Sequence, residues 1–247
     1  YSFLGISILE KGVPTSWSYF PAYSQYAKTQ RLTVDHIYFP LVTPYFDHPP
    51  LYGVLVGAWA ILHGETTFDR ITLGTIRQIP ILLGMITSVL VYFLSLKLYG
   101  KKTAIWSLLI YSTATIFVME TRTVFAENLF TPLLLGSILI VISIKKHASL
   151  KHVILLGIIS GLSLWVKELG IVVFLSTFSL LLIQKTKPKM LVVLSLIFFV
   201  SGLLYLLYGY IYNWELFRTI VFVQSAREIG PRTLHTLFFN PILVNKK

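Results

Sequence analysis

Six apolar runs divide the chain from residue 78 onward into alternating hydrophobic and polar stretches. They cover residues 78–96, 104–119, 126–144, 153–166, 169–183 and 190–212. A transmembrane helix needs about 20 predominantly apolar residues, and about 17 at the least, and three of the runs reach or approach this length. The runs 153–166 and 169–183 are short, and one helix across both would be about 46 Å long, against about 30 Å of hydrocarbon. Hydropathy alone leaves open a single helix or a helical hairpin.

Lysines in the polar stretches decide between these two arrangements. Three short loops hold nine lysines and no acid: Lys97, Lys101 and Lys102; Lys145, Lys146 and Lys151; Lys185, Lys187 and Lys189. If all six runs cross the membrane, the three loops share one face, which the positive-inside rule identifies as cytoplasmic. A single span over 153–183 would place one lysine-rich loop outside. The charge pattern therefore favours a hairpin with its tip on the outer face.

The acidic residues follow the opposite pattern. All of them fall on or near the outer side of the six-span arrangement, as do all the arginines. The acids are Glu10, Asp35, Asp47, Glu65, Asp69, Glu120, Glu127, Glu168, Glu215 and Glu228. The positive-inside rule concerns only Lys and Arg, so the segregation of the acids is independent information. We expect the chemistry of the protein on the outer face.

The polar first stretch, residues 1–76, is expected to form a long outer loop. Its apolar run 51–63 is too short to span the bilayer, and a span there would move the N-terminal region to the cytoplasmic face, so we predict a helix lying in the outer interface. The predicted fold is all-α and polytopic, a single membrane-embedded unit over 1–247 with six transmembrane helices within 77–212 and the start of a later outer loop at 213–247. The chain opens without an initiator Met or a signal peptide, and we expect it to be a fragment.

Composition supports a membrane location. The chain of 247 residues is 55% hydrophobic and 13% charged, whereas soluble domains carry about 25% charged residues. The net charge of +11 would suggest a nucleic-acid partner for a soluble protein. Here the lysines of cytoplasmic loops explain it, and no nucleic acid is expected. The absence of cysteine excludes disulfides and thiolate metal sites.

The stretch "YFDHPPLYG" (Tyr45–Gly53) places an acid and a histidine directly before two prolines and an apolar run. Pro49 and Pro50 fix two backbone φ angles and favour an extended His48. One interpretation is structural, with Asp47 as the N-cap of the following helix. The other is functional, with Asp47 and His48 acting as a general base or as one arm of a site for a divalent cation. The two are compatible, because a cap also holds the carboxylate rigidly.

Three further charged clusters lie at predicted membrane edges. "METRTVFAENLF" contains Glu120, Arg122 and Glu127; "SLWVKELG" contains Lys167 and Glu168; "VQSAREIGPRTLH" contains Arg227, Arg232 and His235. Each also has a plain structural interpretation: a polar loop with an internal ion pair, a lysine reaching the interface, or a basic loop beside anionic headgroups. Together they describe an outer cavity with carboxylates to manage protons and cations to hold an anion. That equipment suits group transfer from a phosphate leaving group.

A transporter or lipid flippase would also place charges in a cavity. Transporters tend to show internal repeats and broken helices in matching positions, and neither is visible in this sequence. A long outer loop also has no evident use in a transporter. A purely structural membrane subunit would leave the clustered acids unexplained. The pattern therefore favours an enzyme over these alternatives.

Three segments, in order, resemble the membrane-embedded GT-C glycosyltransferases, and most closely the protein O-mannosyltransferases and the aminoarabinose transferases of lipid A. They are "FDHPPLYGVLVGAWAILHG", "IRQIPILLGMITSVLVYFLSLKLYGKKTAIWSLLIYSTATIFVMETRTVFAENLF" and "GIISGLSLWVKELGIVV". The His-Pro-Pro-Leu run is the most specific element. The resemblance implies transfer of a mannose-like hexose or an aminoarabinose-like sugar from a polyprenyl or dolichyl phosphate to a protein or lipid-linked acceptor. It places the reaction on the outer or lumenal face of the plasma membrane, or of the endoplasmic reticulum in a eukaryote.

The resemblance also implies roles for individual residues. Asp47 and His48 match the charged pair before Pro-Pro, Glu127 matches the acidic residue of the second outer loop, and Lys167 matches the lysine before the helix that follows the hairpin tip. These matches make Asp47, His48 and Glu127 candidate catalytic residues. The candidate ligands of the lipid phosphate are Arg122, Lys167 and Arg227.

The sequence departs from the family pattern in two places. The family's catalytic Asp ends the first transmembrane helix and would lie a few residues before Tyr1, so both are expected upstream of this sequence. In the aminoarabinose transferases a His of the later outer loop binds a metal ion, and Gln224–Ala226 supply none. A divalent cation, with Asp47 as one ligand, is therefore an open alternative rather than an implied cofactor.

Overall fold

Helices form over all six apolar runs of the chain. The computed structural model describes residues 1–34, 36–144 and 148–229, with side chains up to residue 223. The helices are α1 (Ser2–Lys11), α2 (Ala22–Tyr26), α3 (Pro50–Leu62), α4 (Leu73–Ile76), α5 (Gln78–Tyr99), α6 (Lys101–Thr113), α7 (Thr115–Glu120), α8 (Glu127–Ser143), α9 (Leu150–Val166), α10 (Ile171–Ile183) and α11 (Pro188–Ile229). The strands are β1 (Ser16–Trp17), β2 (Lys28–Val34) and β3 (Ile37–Thr43), and short 3₁₀ turns cover Phe68–Arg70 and Glu168–Gly170. The predicted helical character is confirmed.

The apolar helices differ in their ability to cross a membrane. Among the described residues, two helices are long and apolar enough to do so, Leu73–Tyr99 and Pro188–Val223. Four shorter apolar helices accompany them, Pro50–Leu62, Glu127–Ser143, Leu150–Val166 and Glu168–Ile183. The run 104–119 is interrupted at Ala114, whose backbone is extended between α6 and α7. The six-span arrangement therefore stays a prediction.

The two short runs form a helical hairpin, as the lysine pattern predicted. Helix α9 ends at Val166, and Lys167 is extended. Across the tip, the Ser163 hydroxyl donates to the Gly170 carbonyl at 3.0 Å. A Cβ at position 170 would lie 2.3 Å from the backbone of residues 163 and 164, so the tight tip requires glycine. At the far end of α10, the Gln184 side-chain amide donates to the Val141 carbonyl at 2.9 Å.

Packing separates the two ends of the helical bundle. At one end, the start of α5, the start of α8 and the end of α9 share a core that contains Leu83, Ala126 and Val166. At the other end, the close of α8, the start of α9, the close of α10 and the start of α11 share a second core. That second end carries the helix termini beside the lysine-rich loops. Lys145 and Lys146 themselves lie outside the described residues.

The first 76 residues are a folded unit rather than an irregular loop. Strands β1, β3 and β2 form an antiparallel sheet in that order, with Ser16 opposite Val42 and Gln30 opposite Leu41. Helix α3 occupies the predicted apolar run and packs against α1 and α9. A Cβ on Gly5 would lie 1.9 Å from the Gly53 carbonyl oxygen, so α1 and α3 approach as closely as glycine allows. Hydropathy predicted neither the sheet nor α1.

The last described helix changes direction at the predicted boundary of the sixth run. Asn213 has an extended backbone inside α11. Its side-chain oxygen accepts from the Leu216 N–H at 3.1 Å, and its amide donates to the Tyr26 carbonyl at 2.9 Å. The stretch from 213, expected to begin an outer loop, is helical as far as Ile229. This second half of α11 packs Leu216, Phe217 and Ile220 against the first-loop unit.

Candidate active site

Asp47 lies in the short segment between β3 and α3, where two hydroxyl groups hold its carboxylate. The Ser18 hydroxyl donates to Oδ2 at 2.6 Å, and the Tyr23 hydroxyl donates to Oδ1 at 2.7 Å. Helix α3 has Pro49 at its N-cap position and no capping side chain. The structural interpretation of Asp47 as an N-cap is therefore wrong, because Pro49 occupies the N-cap position and the Asp47 carboxylate accepts from Ser18 and Tyr23.

A cavity of about 500 Å³ opens beside Asp47. Aromatic rings form much of its wall, and Asp47, His48 and two serines supply polar groups. The lining residues are Tyr1, Ser16, Trp17, Ser18, Tyr19, Phe20, Pro21, Tyr45, Asp47 and His48. Trp17 is 42% exposed and Tyr19 is 62% exposed, so both rings present free faces. We call this space the aromatic cavity.

His48 follows Asp47 and packs against the ring of Tyr1. The ring centroids are 4.7 Å apart and the planes differ by 23°, a stacked arrangement. Burial lowers the pKa of His48 to about 4, since an apolar environment disfavours the charged imidazolium. His48 is therefore neutral at physiological pH and can accept a hydrogen bond through one ring nitrogen.

Lys167 and Glu127 form an ion pair at the same end of the bundle. The Lys167 ammonium lies 2.5 Å from Glu127 Oε1, and the two side chains are 25% and 39% exposed. The hairpin tip supplies the lysine and the first residue of α8 supplies the carboxylate. The tip thus brings together two candidates that are 40 residues apart in the chain. Neither side chain is deeply buried, so both remain accessible to a ligand.

A second cavity, of about 270 Å³, contains this ion pair. Its lining residues are Tyr1, His48, Phe125, Glu127 and Lys167. We call it the charged cavity. Tyr1 and His48 line both cavities, so the stacked pair borders the space beside Asp47 and also the space beside Lys167. The structure therefore brings Asp47, His48, Glu127 and Lys167 to one continuous region.

The other candidate residues lie elsewhere. Arg122 is exposed between α7 and α8 and is not among the described residues that line either cavity. Glu120 lines a small cavity of about 70 Å³ that also touches Glu127. Glu168 sits at the hairpin tip, where its carboxylate accepts from the Tyr205 hydroxyl at 3.5 Å. Arg227 belongs to the last turns of α11, Glu228 follows it, and Asp35, Arg232 and His235 lie outside the described residues, so no side-chain position is assigned to these five.

A divalent cation does not fit the residues that the structure describes. Metal sites for such ions collect several carboxylate, imidazole or carbonyl ligands around one point. Among the described residues, no group of three or more His, Asp or Glu side chains is close enough to hold a metal ion. Asp47 is committed to two hydroxyls and Glu127 to an ammonium.

Two residues of the site were missed by sequence reasoning. Ser18 and Tyr23 contact Asp47 across 29 and 24 positions of chain. They lie in a region without hydropathic periodicity, and their contact depends on the sheet. A tyrosine in a stretch rich in Tyr, Trp and Pro carries no distinctive pattern. No feature of the sequence alone could have identified them.

Comparison with known protein families gives a match over most of the chain. The family model of the dolichyl-phosphate-mannose-protein mannosyltransferases matches residues 47–208. This interval begins at Asp47 and includes His48, Glu127 and Lys167. No curated protein and no solved structure matches the chain.

Proposed function

This chain belongs to the dolichyl-phosphate-mannose-protein mannosyltransferase family, and we propose that it transfers a hexose from a polyprenyl-phosphate carrier to a hydroxyl group of a protein acceptor. Family membership makes it a membrane glycosyltransferase of GT-C type. The observation that carries the finer proposal is the shared wall of the two cavities. Tyr1 and His48 line both the cavity that contains the Lys167–Glu127 ion pair and the cavity that contains Asp47.

The charged cavity suits the phosphate of the donor. Lys167 can bind a phosphate oxygen, and its charge stabilises the leaving group as negative charge accumulates there in the transition state. Glu127 holds the lysine in place through the ion pair. The polyprenyl chain would lie in the bilayer. Arg122 and Arg227, the other phosphate ligands suggested by the sequence, stay predictions without geometric support.

The aromatic cavity suits the acceptor. Asp47 accepts the hydrogen bond of the acceptor hydroxyl and helps to remove its proton as the oxygen attacks the anomeric carbon. The new carbon–oxygen bond forms as the bond between that carbon and the phosphate oxygen breaks. The bonding electrons leave with the polyprenyl phosphate, and the proton passes to solvent through a carboxylate, with Asp47 assisting its removal. His48, neutral between the two cavities, can orient a sugar hydroxyl near the point of transfer.

We place this reaction on the extracytoplasmic or lumenal face. The helix ends beside the lysine-rich loops lie at the opposite end of the bundle from Asp47, Glu127 and Lys167. The positive-inside rule assigns the lysine-rich end to the cytoplasm. In a bacterium the membrane is the plasma membrane, and in a eukaryote it is the endoplasmic reticulum.

A transfer assay tests the proposed function. The full-length protein in proteoliposomes is supplied with a peptide rich in Ser and Thr and with radiolabelled polyprenyl-phosphate mannose or nucleotide-linked mannose. We expect labelled peptide with the lipid-linked donor and none with the nucleotide sugar. Transfer from the nucleotide sugar alone, or no transfer from any lipid-linked sugar, would refute the proposal.

A further inference from the structure

The carboxylate of Asp47 accepts a hydrogen bond at each oxygen, and the two hydroxyls that donate these bonds are themselves held in place. The Phe46 N–H donates to the Tyr23 hydroxyl at 2.8 Å, and that hydroxyl donates to Asp47 Oδ1. The Phe20 N–H donates to the Ser18 hydroxyl at 3.2 Å, and that hydroxyl donates to Asp47 Oδ2. Two relays from backbone to hydroxyl to carboxylate thus fix the direction of the hydroxyl protons and the plane of the carboxylate.

Both partners are buried, so solvent does not compete with these bonds. Tyr23 is 1% exposed and Ser18 is 5% exposed. Burial is the main cause that raises the pKa of Tyr23 well above its ordinary value, and the charge of Asp47 raises it further. Tyr23 therefore remains a hydroxyl donor over the whole working range of pH. The hydrogen bond from Tyr23 to the carboxylate therefore does not depend on pH in that range.

The partners come from separate elements that converge on Asp47. Ser18 follows β1, Tyr23 lies in α2, and Asp47 lies between β3 and α3. Tyr23 belongs to the core that also contains Phe46, Leu216 and Phe217 of the two neighbouring segments. Since catalytic groups must be held within about 0.5 Å of the productive geometry by packed and hydrogen-bonded neighbours, this arrangement is what a working carboxylate requires.

We infer that Ser18 and Tyr23 are positioning residues for glycosyl transfer, holding the Asp47 carboxylate at the edge of the aromatic cavity. The inference rests on the proposed function. Neither residue belongs to the matched interval 47–208. We call Ser18 and Tyr23 the hydroxyl clamp. The clamp affects the rate of transfer through the orientation of Asp47 and leaves donor binding in the charged cavity unchanged.

Single hydroxyl deletions in the full-length protein test the clamp. Tyr23→Phe and Ser18→Ala should each lower kcat about tenfold, because small misplacements of a catalytic group can cost up to about 10²-fold. The KM for the polyprenyl-phosphate sugar should change less than about twofold, since Lys167 is not moved. Ser18→Thr restores a hydroxyl beside the open cavity and should recover most of the rate.

Two matched controls separate positioning from stability. Tyr212→Phe removes a tyrosine hydroxyl that donates to the Gly12 carbonyl at 2.6 Å, and Ser24→Ala removes a serine hydroxyl that donates to the Pro21 carbonyl at 2.7 Å. Both hydroxyls donate to backbone carbonyls and not to a carboxylate, so both variants should keep wild-type kcat. Melting temperature and monodispersity in detergent are measured for every variant.

The outcomes are distinguishable. The clamp is refuted if Tyr23→Phe and Ser18→Ala keep wild-type kcat, if they lose activity only in proportion to folded protein, or if Tyr212→Phe loses as much. An increase in donor KM at constant kcat would also overturn it. A wild-type protein that transfers no sugar would refute the proposed function instead.

Discussion

The two cavities hold their carboxylates in different ways. In the aromatic cavity Asp47 accepts hydrogen bonds from two neutral hydroxyls, whereas in the charged cavity Glu127 is paired with an ammonium. Hydrogen bonds from these hydroxyls fix the orientation of the Asp47 carboxylate, which the proposed proton transfer requires. In the charged cavity the carboxylate has a different part, since the ion pair with Glu127 fixes the position of the Lys167 ammonium. The two acids at this end of the bundle therefore have different proposed roles: Asp47 acts on the acceptor hydroxyl, and Glu127 positions the Lys167 ammonium.

Replacing the cation should have the largest effect on this contrast. Lys167→Gln removes the charge that we propose binds the donor phosphate, and it removes the ion pair with Glu127. We expect a loss of about 10²-fold in kcat/KM for the lipid-linked sugar, the size of one electrostatic contact in a transition state. Steady-state transfer at varied donor concentration measures it. Lys151→Gln, an exposed lysine at the other end of the same helix, should match the wild type.

The partner variant then shows which member of the ion pair binds the donor. Glu127→Gln leaves the Lys167 ammonium in the cavity, so its loss should be at least about tenfold smaller than that of Lys167→Gln. The pair is partly exposed, and breaking such a pair costs little stability, about 1 kcal/mol or less. Equal losses in the two variants would indicate a structural ion pair and remove Lys167 from the phosphate site.

Replacing the carboxylate of the aromatic cavity, Asp47, should have the next largest effect. Asp47→Asn is nearly isosteric but removes the charge and the basicity that the proposed proton transfer needs. We expect folded protein with kcat reduced at least about tenfold, a barrier increase of about 1.4 kcal/mol. The loss should appear in kcat rather than in donor KM. Because the N-cap of helix α3 is Pro49 and has no side-chain capping bond, the helix should remain intact.

An exposed acid of the same first-loop unit provides the control. Asp69→Asn changes a carboxylate that lies outside the aromatic and charged cavities and should leave kcat unchanged. Wild-type transfer by Asp47→Asn would return this residue to a structural role. The proton would then have to pass to another carboxylate.

The sequence predicted the bundle better than it predicted the site. Hydropathy located the six helical runs because a helix that faces hydrocarbon needs a continuous apolar sequence. The positions of the lysines then predicted the hairpin with its tip at Lys167. The break between helices at Ala114 was not predicted, because apolar residues continue on both sides of it. The first-loop unit escaped because its sheet buries little continuous apolar sequence.

Among the site residues, proximity in sequence was the visible part. Asp47 and His48 stood out because they precede two prolines, and Glu127 and Lys167 because charges are rare at membrane edges. Ser18 and Tyr23 could not be found, since their role depends on long-range contacts. Helix α1 left a usable trace: Gly53 and Gly57 are four residues apart, the spacing that lets two helices approach closely, and Gly5 packs against both.

His48, which lines both cavities, should have the smallest effect on the transfer rate. The pKa of His48 is lowered to about 4 by burial, below the ordinary value of about 6.5. A histidine whose pKa is lower in the folded state contributes stability that is complete above about pH 6.5 and lost as pH falls toward 4. The transfer rate should therefore show no His48 titration between pH 6 and 8. Below pH 6.5 the melting temperature should fall, with His48 contributing at most about 3 kcal/mol.

Replacing the imidazole tests this assignment directly. His48→Gln cannot take up a proton, so its melting temperature should decline less than that of the wild type between pH 6.5 and 4. His63→Gln changes an exposed histidine whose ring contacts the Trp59 carbonyl, and should follow the wild-type profile. A wild-type transfer rate that rises or falls severalfold around pH 6.5, and loses that dependence in His48→Gln, would show that the imidazole is charged in the working enzyme. His48 would then act with Lys167 as a second cation for the donor phosphate. The difference between the two cavities would then rest on the neutral hydroxyl contacts of Asp47 alone.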